Sequence, residues 1–200
     1  MKLFHTPMTR SARVLWLLHE LGVPFELSLV DVFSGGGRTP EHRAVHPHGF
    51  VPALEVDGEV LLESAGICLW LADRFADRGL APALSSPARG KYCQWMAYVP
   101  ATCDPSLETI MFHTRFLPEA KRIPTLVEKA RKHWATCERT LAAGLASKTY
   151  LLGDTFTAAD VLVGSTLGWA RMAGVLGDDA ALLAYLARVS DRPAFVAAHS

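Results

Sequence analysis

The dipeptide Asp57-Gly58 constrains this chain more than any other feature, because it separates two apolar runs, ALEV and EVLL. A type I′ turn needs positive φ at both central residues, and Asp-Gly between apolar runs meets that demand. Pro52 leads the first run, where its missing N–H costs the ladder nothing. Glu63-Ser64 closes the second run, with Ser64 read as the N-cap of the next helix. The stretch His46–Ile67, HPHGFVPALEVDGEVLLESAGI, therefore predicts a loop, a strand, a turn, a second strand and a helix.

Upstream, Lys2-Leu3-Phe4 reads as a short strand. Val14, Leu17, Leu18 and Leu21 then mark one helix face, with Thr9 or Ser11 as its cap. Gly22 stands at the C′ position and Val23-Pro24 stops the helix. Phe25–Val30 reads as a strand. Ser34–Arg38, SGGGR, lacks the G-x-x-x-x-G-K-[ST] spacing of a phosphate loop and reads as a mobile surface loop. Thr39-Pro40 opens a short helix to about Val45, with Pro at N1. The pattern is β-α-β, a short helix, then β-β-α. It predicts a mixed four-stranded sheet with a right-handed crossover and helices on its faces.

The segment Asp77–Pro87, DRGLAPALSSP, reads as a linker. Beyond it the pattern is helical. Pro100 and Pro105 interrupt Ala88–Phe116, which predicts a bent helix or two segments. Leu126, Ala130, His133 or Trp134, Cys137, Leu141 and Leu145 trace one face of a long helix. Thr157-Ala-Ala-Asp160 resembles a capping box before the apolar run Val161–Trp169, which should be buried. Arg171, inside the apolar GWARM segment, is a candidate buried charge. Arg10 and Arg13 read as surface charges or as guides for an anionic ligand. Two short helices close the chain, at Asp178–Val189 and Pro193–His199. The expected fold class is α/β plus all-α, with domains at 1–78 and 87–200.

Twenty Lys and Arg balance twenty Asp and Glu, which argues against nucleic acid as a partner. No apolar run is long enough for a membrane span. The opening KLFHTP lacks the features of a signal peptide. Cys68, Cys93, Cys103 and Cys137 form no C-x-x-C pair, so no metal site is expected. Free, mostly buried thiols suit a reducing, cytoplasmic setting.

Four stretches together resemble the cytosolic glutathione S-transferase superfamily, in its bacterial and fungal serine-type members. They are KLFHTPMTRSARVLWLLHELGVPFEL, PHGFVPALEVDGEVLLESAGICLWLADRF, YLLGDTFTAADVLVGSTLGWA and RPAFVAA. The resemblance implies a thioredoxin-like N-terminal domain followed by an all-helical C-terminal domain, and a homodimer. It also implies glutathione as co-substrate with no other cofactor, and a detoxifying transfer to a small hydrophobic electrophile. A non-catalytic binding or regulatory protein of the same fold is the alternative. Isomerisation of the maleylacetoacetate type ranks below both, because Pro7–Arg13 lacks the Ser-Ser-Cys stretch of those relatives.

Glutathione is an extended anionic tripeptide, which backbone pairing at a sheet edge holds best. The resemblance gives that pairing to Val51, ahead of a cis Pro52. It gives the glutamyl amine to Glu63, and the glutamyl carboxylate to Ser64 at a helix N-terminus. A free thiol is only a few per cent ionised at neutral pH, so a hydroxyl must stabilise the thiolate. Ser11 is the candidate, with Thr9 and Thr6 as rivals; Thr9 and Arg10 are also candidate binding residues. No tyrosine precedes Tyr92, which excludes a tyrosine-type enzyme. Aligned relatives with a redox cysteine would have it at Arg10. Many relatives have Lys or Gln at Phe50 to hold the glycyl carboxylate. Phe50 cannot, which leaves His48, His46 or Arg38 to substitute, or a lowered affinity.

Overall fold

A computed structural model describes residues 1–199, which form two compact units. The first takes in Met1–Leu84 and the chain from Asp191 onward; the second is Ser85–Ser190.

The first unit is built on a four-stranded sheet in the order β2-β1-β3-β4. Strand β1 (Lys2–His5) runs parallel to β2 (Glu26–Leu29) and antiparallel to β3 (Ala53–Val56), so Leu3 lies between Leu27 and Leu54. Strand β4 (Glu59–Leu62) returns antiparallel to β3. Asp57 and Gly58 make the turn with φ of 52° and 83°, as the dipeptide predicts. Helix α1 (Ser11–Leu21) ends at Gly22, whose φ of 63° lets its N–H reach the carbonyls of Leu18 and His19. Helices α2 (Pro40–Val45) and α3 (Ser64–Arg74) complete the expected pattern.

Helix α1 departs from its one-faced reading. Arg13 and Trp16 are buried along with the leucines, so Arg13 is not a surface charge. For Trp16 the cause is α9 (Pro193–His199), which packs on α1, while Arg13 lies near Cys68 of α3. The Trp16 ring meets Phe195 edge-on at 4.9 Å, and its Nε1–H donates to Glu20 at 2.9 Å. Arg192 forks onto the same carboxylate at 2.6 and 2.7 Å, a bidentate charge-assisted pair. The C-terminal residues, read from sequence as part of the helical domain, thus pack in the first unit. Cys68 of α3 is fully enclosed, and burial pushes its thiol up to about 12 against the opposing pull of Arg13.

The second unit is helical. Helix α4 (Arg89–Tyr98) continues through a π-helical turn, Val99–Cys103, into α5 (Asp104–Met111) and a second π-helical turn, Phe112–Phe116. Pro100 therefore sits in a widened turn instead of breaking the helix, which is how a chain absorbs a missing N–H. Helix α6 (Pro124–Leu145) buries Val127, Ala130, Trp134, Cys137, Leu141 and Leu145. Val127, not the exposed Leu126, opens that stripe, and Trp134, not His133, continues it. Gly144 lets α6 approach closely, since a Cβ there would strike the Trp95 indole. Helix α7 (Ala158–Met172) is buried through most of its length. Arg171 is exposed in its last turn, where a cation favours the helix dipole, so the buried-charge reading is corrected. Helix α8 (Ala180–Ser190) closes the unit. Among the described residues no helix is long and apolar enough to cross a membrane.

Candidate functional site

Two loops of the first unit hold the residues singled out by sequence. The first joins β1 to α1. The N-cap of α1 is Arg10 and no side chain caps it, so neither Thr9 nor Ser11 is the cap that the sequence suggests. The Thr9 hydroxyl instead accepts the Ser11 N–H at 3.2 Å and donates to the Thr6 carbonyl at 2.7 Å. Ser11 is fully buried. Its hydroxyl accepts the Thr6 N–H at 3.1 Å and lies 2.7 Å from both Thr9 Oγ1 and His5 Nδ1. Thr6 is also buried, and its hydroxyl donates to the Val30 carbonyl. Of the three rival hydroxyls, only that of Thr9 belongs to a residue with partial exposure. Arg10 is half-buried beside it. Burial, with the charge of His199 as a smaller cause, lowers the pKa of His5.

The second loop runs from α2 to α3. Thr39 caps α2 by accepting the His42 N–H at 3.2 Å. His42 in turn donates from Nε2 to the Phe50 carbonyl at 2.8 Å, which ties α2 to the approach of β3. The glycine-rich run is packed at Gly37, while Ser34 and Arg38 at its ends are exposed. Gly37 is buried against Gly49, and a Cβ on either would collide with the other's carbonyl. Val51-Pro52 is a cis peptide, as the resemblance implies. The β3 ladder begins at Ala53, so the half-buried Val51 backbone lies outside it.

Ser64 corrects a reading. It occupies the first helical position of α3, and the N-cap is Glu63, with φ of 68° and no side-chain cap bond. The Glu63 carbonyl accepts the Ile67 N–H at 2.8 Å, the first bond of the helix. Sequence placed the helix one residue late, because Ser is a better cap than Glu on intrinsic preference. Glu63 is exposed, while Ser64 is 6% exposed at the positive end of the helix. A non-glycine residue at this φ stores backbone strain, which concentrates at ligand sites.

Phe50 is 64% exposed. Its ring lies 5.8 Å from that of His46 and 6.0 Å from that of His48. His46 is buried, and its pKa is lowered by burial first, then by His42 and His48, against the opposing charge of Glu63. A buried neutral imidazole is a poor clamp for a carboxylate, whereas His48 and Arg38 are exposed. Sequence reasoning missed His5 and His42, whose roles come from hydrogen bonds across the fold. The spacing of four between His42 on α2 and His46 at its C-cap was the one signal available.

Residues 8–74 match the family model "Glutathione S-transferase, N-terminal domain", and residues 120–192 match its C-terminal counterpart. A glutathione S-transferase of Xanthomonas campestris pv. campestris is 33% identical over 175 residues, covering 88% of this chain and 85% of the relative. Another from Escherichia coli O157:H7 is 30% identical over 196 residues, covering 96% and 94%. The solved structure of a sphingomonad glutathione S-transferase complexed with glutathione superposes with a TM-score of 0.85. It is 30% identical, and the match covers all of this chain and 97% of that one. With both halves of the fold and its length matched in this way, the chain belongs to the glutathione S-transferase family.

Proposed function

We propose that this protein is a glutathione transferase, which conjugates the glutathione thiolate to small hydrophobic electrophiles. One observation carries the reading. The free Val51 backbone at the end of the β3 ladder and the uncapped start of α3 at Glu63-Ser64 lie on either side of one hairpin. An extended peptide pairs with the first, and its carboxylate suits the second.

In this reading Val51 pairs with the tripeptide backbone, and Pro52 fixes the approach. Glu63 takes the glutamyl amine. The Ser64 hydroxyl and amide take the glutamyl carboxylate. Phe50 lies alongside, where it offers packing and no charge. The sulfur meets a hydroxyl at the start of α1, where a donated hydrogen bond and the helix dipole both favour the thiolate. We assign that contact to Thr9, with Ser11 acting from behind it, because Ser11 is enclosed and Thr9 is not. Arg10 steers the anionic ligand. We further propose a cytoplasmic homodimer with a detoxifying role, on the strength of the family alone.

The test measures the ultraviolet thiolate absorbance of bound glutathione together with turnover of a chloronitrobenzene. Binding with a thiolate signal and turnover is the expected result. Binding with neither a thiolate nor turnover would favour the non-catalytic alternative.

A further inference from the structure

Behind Thr9 lies an unbroken row of short contacts: Thr9 Oγ1 to Ser11 Oγ at 2.7 Å, then Ser11 Oγ to His5 Nδ1 at 2.7 Å. The inner two residues are enclosed, so water does not substitute for a missing partner. Each hydroxyl has one proton and two lone pairs, and the Thr6 carbonyl, 3.1 Å from Ser11 Oγ and 2.7 Å from Thr9 Oγ1, is a further acceptor beside the row. Along the row itself the bonds have two directions. In one, Ser11 donates to an unprotonated His5 Nδ1 and accepts from Thr9. The Thr9 proton then points inward, and only its lone pairs face a ligand. That arrangement favours the neutral thiol.

In the other, His5 carries its proton on Nδ1 and donates to Ser11, which donates to Thr9. Thr9 also accepts the Ser11 N–H, so both its lone pairs are filled from inside. Its own proton is thereby released from the row and lies between two acceptors, the Thr6 carbonyl at 2.7 Å and a ligand sulfur. An arrangement in which the sulfur takes it favours the thiolate.

We infer that His5 is a positioning residue for thiolate formation: as the Nδ1–H tautomer it sets the direction of the Ser11–Thr9 hydrogen bonds and aims the Thr9 proton at the sulfur. On ionisation the S–H bond breaks, its electron pair stays on sulfur and the proton leaves to the solvent buffer. His5 remains neutral throughout, because its enclosure disfavours the imidazolium and the nearby His199 adds to that effect. The inference rests on the proposed contact between Thr9 and the glutathione sulfur.

The experiment titrates the thiolate absorbance of bound glutathione in the full-length protein, with glutathione affinity measured by calorimetry on the same samples. His5→Phe keeps an aromatic ring but removes the nitrogen. It should raise the bound thiol pKa by about one unit, a tenfold loss of thiolate near neutrality, with affinity for the thiol form little changed. His5→Asn places an amide N–H near the lost Nδ1–H and should restore most of that shift. Ser11→Ala cuts the row and should match His5→Phe, and it carries the test if His5→Phe does not fold. An unchanged thiol pKa in Ser11→Ala or in a folded His5→Phe overturns the inference, as does a His5→Asn variant no better than His5→Phe. If the wild-type protein binds no glutathione, the reading of the site falls as well.

Discussion

Helices α3 and α7 begin in opposite ways. At α7 the capping side chains are bonded within the protein. Asp160 accepts the Thr157 N–H at 2.8 Å, the Leu151 N–H at 3.0 Å and the Tyr185 hydroxyl at 2.9 Å. Thr157 and Asp160 are both buried, and the reciprocal capping box is complete. At α3 there is no side-chain cap, the preceding residue is held at positive φ, and Ser64 stands at the dipole end. A helix start that holds the fold together spends its donors inside the protein. One that serves a ligand keeps them available and accepts strain to do so.

The comparison breaks most sharply at Asp160. Asp160→Ala leaves two amides and a phenol without their shared acceptor, so it should cost about 4 kcal/mol in chemical denaturation. A loss below about 1 kcal/mol would mean that α7 does not depend on its box. Ser64→Ala should do the reverse. Unfolding should shift by less than about 0.5 kcal/mol, while glutathione affinity falls about tenfold, measured by calorimetry. Equal losses in stability at both sites would erase the distinction.

Glu63→Gly sharpens the point about strain. Glycine accepts φ of 68° freely, so the variant should gain up to about 1 kcal/mol of stability while binding glutathione more weakly. A smaller effect concerns pH. The folded-state pKa values of His46 and His5 lie below the ordinary histidine value, so the unfolded chain binds more protons in the window just below that value. Stability is therefore complete above about pH 6.5 and is lost as pH falls below it. His46→Gln should flatten the fall in the urea midpoint between about pH 7 and pH 5. A slope identical to wild type would remove His46 as a cause.

Much of the frame was legible because its signals are local. The Asp57-Gly58 turn, the Gly22 stop, the Thr39-Pro40 start and the Thr157–Asp160 box each depend on backbone conformation within a few residues. The misreadings share the opposite character. Trp16 is buried because α9 returns from the far end of the chain, and Arg13 is buried near Cys68 of α3. Gly37 is packed because Gly49 meets it. Ser64 is read as a cap by intrinsic preference, but α3 begins one residue earlier, with Glu63 at the cap position and positive φ.

The amino-acid sequence by itself determined the two-part pattern, the hairpin and the short set of hydroxyls at the start of α1. Those follow from periodicity, turn chemistry and residue type, which act over one or two turns of chain. Only the tertiary structure decided which of those hydroxyls faces outward. Ser11 and Thr9 are two residues apart and chemically alike, and sequence gives no reason to rank them by exposure. Enclosure ranks them, because His5 from the end of β1 reaches the Ser11 hydroxyl from inside and leaves Thr9 as the outer member of the row.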